Sequence, residues 1–173
     1  GVSATTAEFS GNVNVNTGDL FVDTANSRVG IGTVSPAKTL HIVSTTTDDT
    51  VLVTTDENSS TAAPVIGLKR NSSSVADSDY LGQIKFKGEN DADQEITYSK
   101  ISGKILDASD GTEDGIIEFA NIKAGAQTVT ARLRSNELQL LNDTGLSVAG
   151  DATITGNLTV NGTTTTLATT NSV

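Results

Sequence analysis

The chain has 173 residues, of which 35 % are hydrophobic and only 3 % aromatic, and it contains no Trp, Met or Cys. Large side chains supply most of the area that a core buries, so we expect this chain to bury its small apolar residues against other copies of itself. A net charge of −10 disfavours nucleic acid as a partner, and no apolar run approaches the roughly 18 residues of a membrane span.

Apolar residues alternate with polar ones along almost the whole chain, and no long helical pattern with a cap is present. Period two is typical of β-strands, so the sequence predicts an all-β fold. Taken in chain order, the pattern divides into the end of a preceding shaft repeat (1–16), a hairpin with an extended arm (17–43), a polar Ser/Thr-rich β segment (44–80), a β-rich module (81–141) and a glycine-hexad shaft repeat (142–173).

Within the arm, Leu20 to Val22 are predicted to pair with Arg28 to Ile31, and the run up to Ile42 is predicted to form a further strand. Gly30 and Gly32 in this run resemble the start of a dinucleotide-binding loop. That fingerprint needs a third glycine and a following helix, whereas the chain continues with Ser-Pro and a β-type pattern. We therefore interpret the two glycines as small residues at a close approach of chains.

Three polar loops are predicted at 70–80, 87–95 and 107–115. The last carries Asp107, Asp110, Glu113 and Asp114, whose hard oxygen ligands suit Ca²⁺. Their spacing departs from the EF-hand loop, and six or more oxygens must converge on the ion. A solvated hairpin loop is therefore the favoured interpretation, and calcium binding stays open.

Catalysis has little support in the sequence. His41 is the one histidine and lies in an alternating run, and without Cys or a second His it forms neither a Cys-His pair nor a zinc site. A groove that stacks sugars would need more aromatic residues than Tyr80, Tyr98 and four Phe. We predict no enzyme, and no catalytic, cofactor-binding or metal-binding residues.

Glycines recur every six residues near the end of the chain, and similar hexads stand at both ends. Within each hexad the third and fifth side chains share one face of a strand; the pairs are Ala152 and Ile154, Leu158 and Val160, and Thr164 and Thr166. GNVNVN at 11–16 matches GNLTVN at 156–161. Recurrence of this kind predicts an array or fibre, in which no unit buries its face alone.

Three stretches resemble bacteriophage tail fibres and related virion proteins. They are VGIGTVSPAKTLHI (29–42), the segment 81–134 with its T-x-R-[LM]-R ending, and GDATITGNLTVNGTTTTL (150–167). The resemblance covers about half the chain. It implies an elongated, intertwined homotrimeric β-fibre, with a β-prism or triple β-helix-like shaft and small β-hairpin modules, and it carries no catalytic residues.

The resemblance leads us to expect a structural segment of a virion appendage that trimerises and positions distal receptor-binding parts for host attachment. Its location would be the virion, outside the cell, and its partners would be itself and the adjoining fibre, tail or capsid proteins. We expect the residues near the axis to be Val13, Val15, Val29, Ile31, Ile154, Leu158 and Val160. Two alternatives remain: a module of the fibre that binds a host-surface receptor or glycan through the three loops, or a bacterial adhesin stalk.

Overall fold

The computed structural model describes residues 9–61 and 63–162. Within them, regular structure consists of nine strands and one short 3-10 turn, with no α-helix, which confirms the all-β prediction. The chain divides into two compact units between Ile66 and Gly67. Each unit contains one sheet.

The first unit holds a four-stranded sheet in chain order: β1 (Val13–Val15), β2 (Leu20–Asp23), β3 (Arg28–Ile31) and β4 (Leu40–Ile42). The predicted hairpin is confirmed, with Leu20 opposite Ile31 and Asp23 opposite Arg28. β1 lies in the stretch 1–16 that is predicted to end a preceding shaft repeat, and it pairs with β2 in the same sheet. The turn Asn16–Gly18 makes this possible, because its positive φ values reverse the chain within three residues.

β3 and β4 are parallel although only residues 32–39 connect them. Parallel neighbours usually need a connection of a dozen or more residues. Here the Arg28 guanidinium donates to the Pro36 carbonyl at 2.8 Å, and Gly32 has a φ of +71°. A Cβ on Gly32 would lie 2.2 Å from the Val43 carbonyl oxygen. The glycines of this motif are therefore architectural, and the close approach that needs them occurs within one chain.

The second unit holds a five-stranded antiparallel meander: β5 (Tyr80–Glu89), β6 (Glu95–Asp107), β7 (Asp114–Lys123), β8 (Ala126–Arg134) and β9 (Leu138–Leu140). It coincides closely with the predicted β-rich module 81–141. The strands extend further than predicted, so the loops shrink from 87–95 to 90–94 and from 107–115 to 108–113. Cross-strand pairing continues to the edge of each turn because the turn residues supply their own hydrogen bonds, such as the Gln94 amide to Asn90 Oδ1 at 2.9 Å.

Two long segments contain no strand among their described residues, namely 43–79 and 141–162. This corrects the predictions of a β segment at 44–80 and of strands in the hexads at 150–161; Thr164 and Thr166 lie outside the described residues. A strand needs a neighbour for its backbone N–H and C=O groups, and a single chain offers these segments none. Their apolar residues stay exposed, Val65 by 82 % and Leu158 by 65 %.

The core of a single chain is very small. Among the described residues, Ile116 and Ala120 are the buried hydrophobic side chains. Both lie on β7, the central strand of the five-stranded sheet. Few apolar side chains of the described residues are therefore covered within one chain.

Candidate interaction surfaces

One face of the five-stranded sheet is apolar across its whole width. Cross-strand register aligns two complete rows of residues over β5 to β9, with one residue from each strand. The first row is Ile84, Ile101, Phe119, Ala131 and Leu140, and the second is Gly82, Gly103, Ile117, Leu133 and Leu138. We call these two rows the apolar face.

The apolar face is open to solvent in the single chain. Leu138 is exposed by 67 %, Ile84 by 53 % and Phe119, at the centre, still by 39 %. Neither row contains a charged residue. Five strands about 4.8 Å apart and two residue rows at about 6.8 Å give an area of roughly 330 Å², and the exposed Phe86 borders this area on β5. The largest apolar patch on a typical soluble monomer covers about 300–600 Å² and is often functional.

Only one corner of the apolar face is covered by the same unit. Leu68 lies against Gly82, where a Cβ would come within 2.7 Å of the Leu68 Cβ. Its row neighbour Gly103 faces open space. The glycines therefore form a shallow depression that accepts an apolar side chain, and one half of it is unfilled.

The four-stranded sheet of the first unit repeats this arrangement on a smaller scale. Its register aligns two rows on one face, Val13, Val22, Val29 and Leu40 in one, and Val15, Leu20, Ile31 and Ile42 in the other. Four residues predicted to lie near a fibre axis (Val13, Val15, Val29 and Ile31) thus share a face. The other three, Ile154, Leu158 and Val160, lie outside any strand and are exposed.

The opposite face of the five-stranded sheet, which we call the polar face, is closed by its own side chains. Its central row is Gln83, Ser102, Glu118, Arg132 and Gln139. Ser102 is 1 % exposed and Glu118 5 % exposed, because long neighbouring side chains lie over them. Gln83 Nε2 donates to Ser102 Oγ at 3.1 Å, and no buried side-chain N or O atom of the described residues lacks a partner.

Glu118 is the centre of an ion cluster on the polar face. Arg132 Nε donates to its Oε1 at 2.8 Å, and Lys104 Nζ lies 3.5 Å from its Oε2. The Lys104 ammonium also stands 4.8 Å from the centre of the Tyr80 ring, a cation–π geometry. Sequence reasoning missed this cluster, although the alternation of Lys100, Ser102 and Lys104 in β6 already placed these residues on one face.

The predicted acidic loop forms a turn. Asp107 ends β6, Asp114 begins β7, and Asp110 and Glu113 lie between them. The Ser109 amide donates to Asp107 Oδ1 at 2.8 Å. With the Ser109 and Thr112 hydroxyls it holds the pKa of Asp107 below its usual value, against a partial opposing effect of desolvation. No group of three or more His, Cys, Asp or Glu side chains in the described residues is placed to hold a metal ion.

Two other carboxyl groups have lowered pKa values for similar reasons. The side-chain hydrogen bond from Asn26 lowers the pKa of Asp23. The Arg70 guanidinium, 2.6 Å away, and then the Ala76 amide lower the pKa of Asp79. His41 lies on β4, where the Ala37 amide donates to its Nδ1 at 3.2 Å. These contacts fasten turns and loops.

Comparison with protein-family models, with curated proteins and with solved structures finds no match to this chain. No helix within residues 9–61 and 63–162 has the length and apolar character needed to cross a membrane. Function therefore has to be argued from the surfaces themselves, together with the resemblance in the sequence.

Proposed function

We propose that the chain is a structural segment of a phage tail fibre or comparable virion appendage, in which three copies assemble and hold distal receptor-binding parts in position for host attachment. The apolar face of the five-stranded sheet is the observation that carries this proposal. It is five strands wide and uncharged, and within the single chain Leu68 covers only one corner of it.

A second copy fits the apolar face better than an unrelated ligand. Two or three identical faces would cover one another over roughly 330 Å² each, about two fifths of the ~800 Å² per partner typical of stable interfaces. The apolar rows of the first unit and the exposed residues of the hexads add to this area. Interchain pairing would also supply the backbone partners that the hexads lack.

The number of copies rests on the resemblance to trimeric fibres. So do the virion location outside the cell and the partnership with adjoining fibre, tail or capsid proteins. The net charge of the chain supports the proposed fibre in one respect, because −10 per chain makes neighbouring assemblies repel each other. Such repulsion suits a fibre that self-associates only through its apolar faces.

The first experiment is to measure the mass of the purified chain by light scattering, before and after mild heating in SDS. Three chains of 17.8 kDa give a species of 53.4 kDa (3 × 17.8), and its persistence in SDS would indicate interwoven chains. A species of 35.6 kDa (2 × 17.8) would support self-association but contradict the proposed trimer. A folded monomer at micromolar concentration would overturn both, and a receptor-binding module would then be the better interpretation.

A further inference from the structure

A cleft of about 150 Å³ opens on the polar face where β6, β7 and β8 meet the segment before β5. The residues whose polar groups line it are Ser78, Lys104, Glu118, Arg132 and Arg134. Register places Lys104, Ile116 and Arg134 in one row beside the row that contains Glu118. Three cations thus surround one carboxylate.

The charges of the cleft do not balance. Glu118 is shared between Arg132 and Lys104, whereas the Arg134 guanidinium makes no ion pair or side-chain hydrogen bond with the described residues. Asp79, which follows Ser78 in the chain, is neutralised by an ion pair with Arg70 at 2.6 Å. The lining therefore carries a net charge of +2 (three cations and one anion).

We propose that this cleft binds a doubly charged tetrahedral oxyanion, that is, a phosphate or sulfate group. Arg134 offers a planar fork of donors that matches such a group, and Lys104 adds a point charge. Ser78, in the segment before β5, adds a neutral hydroxyl to the lining. The Lys104 ammonium is also held 4.8 Å from the centre of the Tyr80 ring.

The size of the cleft and the charge of the whole chain suit one compact oxyanion. The cleft volume of about 150 Å³ is ample for one tetrahedral group, because a single water needs only about 10–15 Å³ of such space. An extended polyanion such as nucleic acid would meet the surrounding excess of 21 acidic over 11 basic residues and be repelled.

This inference is independent of the assembly proposed above. The cleft lies on the polar face, and the proposed contacts between copies use the apolar face on the other side of the same sheet. The cleft is therefore open in a monomer and in a trimer. A negative binding result would leave the measured mass unchanged, and an unexpected mass would leave the binding result unchanged.

The test is calorimetric titration of the intact protein with inorganic phosphate and with sulfate, at constant ionic strength set by NaCl. We expect binding that weakens at least ~10-fold in Arg134→Gln, because the variant loses a charge-assisted hydrogen bond to the anion. The Arg134 side chain has no ion pair or side-chain hydrogen bond to lose within the described residues, so we expect this variant to keep its fold. Lys85→Gln is the matched control, since it removes one cation from the same face outside the cleft, and we expect a change of less than ~2-fold.

Two further titrations identify the source of the anion. Glucose 6-phosphate that binds more tightly than inorganic phosphate would assign the group to a larger phosphorylated ligand, and equal affinities would assign the free ion. Glucose alone serves as the blank. Absence of saturable binding at millimolar phosphate, or an equal loss in Arg134→Gln and Lys85→Gln, would overturn the proposal in favour of diffuse charge screening.

Discussion

The two faces of the five-stranded sheet share one backbone register but differ in how far their side chains are buried. On the polar face, a row of hydrogen-bonding side chains satisfies itself, and Ser102 and Glu118 are buried without any second layer. On the apolar face, Ile117 and Phe119 alternate with Glu118 along the same strand, yet both remain about 40 % exposed (41 % and 39 %).

The difference follows from how the two kinds of contact are satisfied. A hydrogen bond or ion pair needs one partner, and a neighbouring strand about 4.8 Å away supplies it. An apolar side chain is stabilised by removing its surface from water, and neighbours in one flat sheet cover only its sides. The polar face is therefore covered within one chain, whereas the apolar face would be covered only in the assembly that we propose.

The largest expected effect comes from a charge on the apolar face. In Phe119→Asp, association would have to bury a carboxylate between Ile101 and Ala131, so we expect the dissociation constant of the assembly to rise at least ~100-fold, a loss of about 3 kcal/mol or more. Light scattering over a dilution series measures this change. Circular dichroism should still report β structure, since Phe119 is partly exposed in one chain.

Lys85→Glu is the control for this prediction. It also introduces a carboxylate on the five-stranded sheet, but on the exposed part of the polar face. We expect its mass distribution to match that of the parent protein. If Phe119→Asp stays folded and assembles as well as Lys85→Glu, the apolar face is not the contact between copies.

The next largest effect is expected on the polar face, where one substitution leaves an arginine and a lysine without the anion that they share. Glu118→Ala removes the carboxylate shared by Arg132 and Lys104. Because the cluster is only partly buried, we expect a loss of about 2–4 kcal/mol in the free energy of unfolding. Urea unfolding at fixed protein concentration measures it, and the exposed Glu113→Ala should stay within about 0.5 kcal/mol of the parent.

A paired replacement sharpens the same point. Glu118→Leu combined with Arg132→Leu removes both charges together, and replacement of a buried ion pair by apolar residues is often neutral. We expect the double variant to recover at least half of the stability lost in Glu118→Ala. If the double variant is less stable than Glu118→Ala, the ion pair between Glu118 and Arg132 stabilises the fold more than two leucines in the same positions do.

Alternation of apolar residues was sufficient to predict the strands between residues 80 and 140 and the hairpin of β2 and β3. It failed for the hexads, because the same alternation around Ile154 and Leu158 specifies which residues share a face but not which strand lies beside them. The ion cluster could not be predicted from local alternation, for a related reason. Glu118 and Arg132 become neighbours only through a register that joins two strands across a turn and a bulge.

A smaller and more local effect is expected in the first unit. Gly32→Ala would place a Cβ 2.2 Å from the Val43 carbonyl oxygen at a φ of +71°, so we expect a loss of about 2–3 kcal/mol. Faster hydrogen exchange should appear at the amides of Val29 and Val43, which donate to Thr39 and Ile31 across the parallel pair. Gly11→Ala, where the added Cβ meets nothing within 4 Å, should leave both rates unchanged.

The smallest effect is expected at the end of the polar face, where Asp107 fastens the turn after β6. Its pKa is lowered in the folded state, first by the Ser109 amide. Around and below the ordinary pKa of 3.8 the unfolded chain therefore binds more protons than the folded chain, so this contribution to stability is complete above about pH 5 and is lost as pH falls through the folded pKa. Asp107→Asn should flatten the decline of thermal stability in that range. Ser109→Ala should keep most of the decline, because it retains the amide that contributes most, and an equal flattening in both variants would assign the effect to the hydroxyl instead.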